Sequence, residues 1–73
     1  MRLSELRYGQ SAKIRDIIGQ DALSIRLIDL GFLPPGALKV LITRAGGDPI
    51  AVRLRGYTLS LRREEADRVE VEL

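Results

Sequence analysis

From Leu38 onward, apolar residues fall at every second position in four separate runs. Leu38, Val40 and Ile42 alternate with Lys39, Leu41 and Thr43, and Ile50, Val52 and Leu54 alternate with Ala51, Arg53 and Arg55. Tyr57, Leu59 and Leu61 then alternate with Thr58 and Ser60, and Val69, Val71 and Leu73 with Glu70 and Glu72. Successive side chains of a strand point to opposite faces, so a period of two marks a sheet with one buried face. A slip of one residue would turn such a strand inside out, which ties the loops to the register. Keeping Ile42 and Val52 on one face requires an odd loop, Ala45 to Pro49, with Arg44 opposite Ile50. Keeping Leu54 and Tyr57 together allows a two-residue turn at Arg55-Gly56, where Gly56 supplies the positive φ. Tyr57 is then expected on the buried face.

The first half is less periodic. "SAKIRDII" (11–18) alternates roughly and is rich in β-branched residues, which predicts a first strand that Gly19 ends. Asp21 can cap a helix over about 21–30, its carboxylate accepting from free N–H groups of the first turn. At 100° per residue, Leu23, Leu27 and Leu30 share a stripe expected to face the core. Arg26 and Asp29 lie opposite, Ile28 at the edge of the stripe and Ile25 well away from it. Gly31 suits the left-handed position just past the helix, with Phe32 supplying the accompanying apolar contact. Pro34 and Pro35 prevent continuation and are expected to hold the exit extended into the strand that follows Gly36. "RREEADR" (62–68) has the length of one helical turn.

These elements predict a mainly β chain. It is a small SH3-like β-barrel of about five strands, with one short α-helix (about 21–30) and a helical turn near 63–67. An open α+β roll is the competing geometry. With 73 residues the chain makes a single domain, 1–73. It contains no cysteine, which excludes disulfides and thiolate metal sites. No apolar run approaches the roughly 18 residues of a membrane span, and "MRLSELRYGQ" has no signal-peptide core. A cytoplasmic location is the expectation. An unpaired edge strand would allow a weak homodimer beside the monomer.

The net charge of +2 is too small to imply a polyanionic partner. Its distribution is uneven: residues 38–63 carry Lys39, Arg44, Arg53, Arg55, Arg62 and Arg63 against Asp48 alone. Residues 64–73 carry Glu64, Glu65, Asp67, Glu70 and Glu72 against Arg68. The register puts Lys39, Arg53 and Arg55 on one outward face. Nucleic acid is not the expected partner, because single-strand readers stack bases on aromatics and only Tyr8, Phe32 and Tyr57 are present.

Chemistry is sparse as well. There is no histidine, so nucleophilic catalysis through an imidazole base is excluded, and an enzyme is not expected. Glu64-Glu65 sits among arginines and reads as a solvated, ion-paired face. "RAGGDPI" enters a strand and lacks the lysine of a phosphate loop. Oxygen ligands alone suit hard ions, so no intrinsic cofactor is expected. Asp48 is the candidate ligand for weak binding of Fe(II) or another divalent transition metal, and backbone capping is its competing role. Ile25, flanked on the outer face by Arg26, Ile28 and Asp29, is the candidate contact with a protein partner, ordinary surface exposure being the alternative.

Three stretches, "RLIDLGFLP", "GDPIAVRLRG" and "LSLRREEA", carry a resemblance. In their order and spacing, Leu30-Gly31, Gly47-Asp48-Pro49, Gly56, Leu61-Arg62 and Glu65-Ala66 resemble the ferrous iron transport protein A (FeoA) family over roughly Ile17 to Val71. An ungapped match keeps Pro34 but puts Pro35 where the family has glycine, and Arg44-Ala45 where it has Ala-Pro. A shifted match restores Pro35-Gly36 at the cost of Leu38 and Val40. The resemblance implies an SH3-like accessory protein of bacterial ferrous iron uptake, whose partner is the FeoB membrane GTPase transporter. The family's barrel is also similar to the C-terminal domain of iron- and manganese-responsive repressors, which makes a metal-sensing domain the alternative function. A nucleic-acid-binding barrel is the third reading.

Overall fold

The computed structural model describes residues 1–46 and 48–73; Gly47 lies outside the described residues. Five strands follow one another as β1 (Ser11–Ile17), β2 (Ala37–Thr43), β3 (Ile50–Leu54), β4 (Tyr57–Leu61) and β5 (Val69–Glu72). Helix α1 (Ala22–Asp29) lies between β1 and β2, and the single turn α2 (Arg63–Ala66) between β4 and β5. The strands form one antiparallel sheet in the order β4-β3-β2-β1-β5. Strand β1 pairs with β2 through Ser11 to Lys13 and with β5 through Lys13 to Ile17, so the sheet curls around its own core. The result is the expected SH3-like barrel.

Alternation builds the core. Ala12, Ile14, Leu38, Val40, Ile50, Val52, Leu54, Leu61, Val69 and Val71 are buried together. Between β3 and β4 the turn forms as expected, with Arg55 and Gly56 both at positive φ (52° and 81°), the type I′ pattern. Helix α1 ends in the cap that Gly31 promised. At φ 104° its N–H bonds to the Ile28 oxygen, while the Phe32 N–H reaches the Leu27 oxygen. That pair of bonds is a Schellman motif, and it drives Phe32 into the core, where it is fully buried.

Several expectations are corrected. Val40 faces Val52 but Ile42 faces Ala51, so Leu41 is an extra residue in β2. A bulge of this kind reverses the parity beyond it. Ile42 therefore points out, 51% exposed, and Thr43 rather than Arg44 lies opposite Ile50. The Arg44 N–H instead donates to the Pro49 oxygen at 3.3 Å. Tyr57 is 71% exposed although it keeps the parity of its buried partner Leu54, because β4 is the last strand and no described residue covers it. Leu30 sits just past α1 and is exposed; Ser24 takes its place beside Leu27 on the buried side of the helix. The chain after α1 does not leave extended. Pro34 and Pro35 are joined by a cis peptide inside a tight turn, closed by the Gly36 N–H on the Leu33 oxygen at 2.8 Å. A Cβ on Gly36 would lie 2.8 Å from that same oxygen, which is why this position takes glycine.

The start of the chain holds a feature that the periodicity does not register. A 3-10 turn, Leu3–Glu5, places Leu3 and Leu6 in the core. Before it, Met1 and Arg2 run along the outer edge of β5, where the Val71 N–H donates to the Met1 oxygen and Arg2 bridges Glu70.

Candidate docking site

Helix α1 is held on the barrel by its N-terminus. The Asp21 carboxylate accepts from the Ser24 N–H at 3.2 Å, capping the first turn. The same carboxylate accepts from both terminal nitrogens of the Arg68 guanidinium end on, with both N–O distances 2.8 Å. Arg68 also donates to the Ile18 oxygen and the Ser24 Oγ, and the Ser24 hydroxyl is buried against Ile18. The Arg68 hydrogen bonds, followed by those from Ser24, hold the Asp21 carboxyl well below the usual carboxylate range. Gly19 fits beneath this cluster, for a Cβ there would lie 2.6 Å from the Arg68 guanidinium. Farther along the helix, Arg26 approaches Glu65 of α2 at 4.0 Å.

The outer side of this anchored helix carries exposed apolar residues. Ile25 is 55% exposed, and Ile28, one turn along, is exposed as well. Leu30 and Leu33, past the helix end, are also exposed. Arg26 and Asp29 lie on the same side and are exposed. All four candidate contacts are exposed, Ile25 and Asp29 near the middle of the outer side, with Ile28 on one flank and Arg26 on the other, turned toward α2. Sequence reasoning missed Arg68, Ser24 and Leu33. The spacing of Ser24 three residues after Asp21 was a local clue to Ser24 alone.

The other candidates have structural roles. The Asp48 Oδ1 accepts from the Arg63 N–H at 3.3 Å, at the start of α2, and lies 3.6 Å from the Arg62 guanidinium. Both contacts fall on Oδ1, and the positive charge of Arg62 beside the carboxylate opposes a cation. Among the described residues, no three acidic side chains converge on a point that could hold a metal. Gly31, Pro34, Gly36 and Gly56 shape turns, as described above, and Pro49 follows a cis peptide bond in the loop before β3. The basic residues form part of a polar row across the sheet, Ser11, Lys39, Arg53 and Thr58, each opposite the next. Tyr57 points to the other face, so the aromatic ring and the basic row do not combine into a base-stacking platform. No helix among the described residues is long and apolar enough to cross a membrane.

Comparison with known proteins places this geometry. The FeoA domain model matches residues 1–73, a longer stretch than the likeness read from the sequence. A curated relative from Porphyromonas gingivalis, an Fe(2+) transport protein A/Fe(2+) transporter FeoB fusion protein, is 38% identical over 73 residues. The alignment covers 100% of this chain and 9% of the fusion. The solution structure of FeoA from Chlorobium tepidum is 40% identical with a TM-score of 0.87, over 100% of this chain and 70% of that one. A Stenotrophomonas maltophilia FeoA, described as a prokaryotic SH3 domain protein and solved with zinc, is 33% identical. Its TM-score is 0.88, over 99% of this chain and 89% of that one. A manganese-dependent transcriptional repressor, 23% identical with a TM-score of 0.88 over 99% of this chain and 35% of that one, shares the fold. The chain belongs to the FeoA domain family.

Proposed function

We propose that the chain is a cytoplasmic accessory protein of bacterial ferrous iron uptake. It docks on the cytosolic part of a FeoB-type membrane GTPase transporter and modulates it, without catalysis of its own. The observation that carries this reading is the exposed Ile25/Ile28 face on a helix whose other side is bonded to the barrel. An apolar strip on a rigid helix is the form in which a helix face meets a partner groove. The fused relative supports the choice of partner, because a covalent link between the two parts raises their effective concentration and is useful where they act together.

The test is a titration of the full chain against the soluble GTPase domain of a FeoB-type transporter. Binding in the micromolar range is expected, and Ile25→Asp should weaken it at least tenfold, the effect of placing a charge in an apolar contact. No binding by the wild type at tens of micromolar overturns the reading. A metal-handling role is the second reading, favoured by the zinc in the Stenotrophomonas maltophilia relative. Anaerobic calorimetry with Fe(II) or Mn(II) decides it, and the engagement of Asp48 by Arg62 and Arg63 favours millimolar affinity or weaker.

A further inference from the structure

The two edges of the sheet are treated differently. The outer edge of β5 is covered by Met1 and Arg2, and Met1 and Arg2 both approach the Glu70 carboxylate, at 3.4 and 3.8 Å. Strand β4 closes the other end and has no neighbour on its outer side among the described residues.

Its register shows which groups are left over. Leu54 and Tyr57 flank the two-residue turn and exchange backbone hydrogen bonds, as do alternate pairs beyond them. Tyr57, Leu59 and Leu61 therefore bond to β3, while the N–H and C=O groups of Thr58 and Ser60 point away from the sheet. Within the strand itself this edge lacks the charge, proline or bulge that protects other edges. "YTLSL" contains no charge and no proline, and its pairing with β3 has no bulge. The face beneath it is also unfinished. Along the row Val40, Val52, Leu59 the first two are fully buried and Leu59 only partly, and in the row ending at Tyr57 the ring is exposed.

We propose that the free edge of β4 is a second docking site, which takes an extended segment of a partner protein as an added strand. That segment is apolar at alternate positions, to cover Leu59 and Tyr57, and acidic at its ends. Charge selects the occupant. Arg55 precedes the strand, Arg62 and Arg63 follow it, and Arg53 lies beside Thr58 on the outer face. Asp48 offsets part of this at Arg62. A second copy paired antiparallel about Leu59 would set Arg55 of each chain against Arg63 of the other, so the same charges that attract an acidic strand oppose self-association.

The test uses the ¹⁵N-labelled full chain and two short peptides of alternating Val and Thr, one with two Glu at each end and one with two Lys. Amide shifts centred on Thr58 and Ser60 are expected, with the acidic peptide binding about three- to fivefold more tightly at low salt, the scale of exposed charge pairs. Arg55→Asn retains a residue suited to the type I′ turn and should remove part of that preference. Ser60→Pro deletes an outward N–H while sparing the bonds to β3, and should abolish binding. Should that variant fail to fold, an acidic peptide with N-methylated backbone replaces it, and its failure to bind the wild type is the expected result. Equal affinity for the two peptides, shifts confined to α1, or undiminished binding by folded Ser60→Pro or of the methylated peptide overturns the proposal. So do shifts at Thr58 and Ser60 when the chain alone is concentrated, which would make a second copy the occupant.

Discussion

At the scale of single residues, Asp21 does two jobs: its carboxylate caps α1, and it ties the helix to Arg68 just before β5. Asparagine caps a helix about as well as aspartate, so Asp21→Asn separates the two. Arg68 holds the folded carboxyl below its unfolded value, which is near 3.9. A depressed carboxyl stabilises the fold above the unfolded value and loses that contribution as pH falls toward the folded one. The variant should melt below the wild type at neutral pH, by a gap that is constant above about pH 5 and closes below about pH 4. Thermal melts across that range measure it. Added salt should narrow the gap at neutral pH, because the pair is open to solvent.

Strands and loops differ in how much of them a single sequence displays. The β2 bulge makes the point, and a pair of substitutions tests it. Ile42 faces solvent, so Ile42→Thr should change stability by no more than about 0.5 kcal/mol. Leu54, fully buried in β3, should cost about 2–5 kcal/mol when cut to alanine. Urea unfolding of both variants checks the contrast, and equal losses would mean that Ile42 faces the core. Strict alternation predicts the opposite for Ile42. Nothing in "LKVLIT" announces the extra residue at Leu41, because Val40, Leu41 and Ile42 are all apolar and either parity satisfies the pattern. The turn at Arg55-Gly56 and the cap at Gly31 were legible, since each puts a glycine with a positive φ at a fixed place. The exposed pair Ile25 and Ile28 was legible from helical angle alone. Tyr57 and Arg68 were not, because strand order decides which row ends at an open edge, and a link across 47 residues leaves no local signal.

For the molecule as a whole, the binding surfaces are only as rigid as the small core behind them, and the N-terminal turn closes that core on its β5 side. Leu3 is fully buried and Leu6 nearly so, in the same cluster as Val69 and Val71 of β5, while Met1 and Arg2 seal the edge of that strand. A chain of this size buries only about 60% of its unfolded surface, and its whole stability is about 3–5 kcal/mol. Cutting a buried leucine to alanine costs about 2–5 kcal/mol, which is comparable with the total. Leu3→Ala should therefore leave a large fraction of the molecules unfolded at 37 °C, although Leu3 lies in no strand and far from α1 in sequence. Urea titration followed by circular dichroism checks this, with Tyr8→Ala, an exposed residue of the same segment, expected to stay within about 0.5 kcal/mol of the wild type. Amide exchange then locates the loss. Cooperative unfolding of so small a core predicts that β3 amides, remote from Leu3, lose protection together with those of β5. Loss confined to β5 would mean that the N-terminal turn only trims an edge, and that β3, β4 and their free backbone groups persist without it.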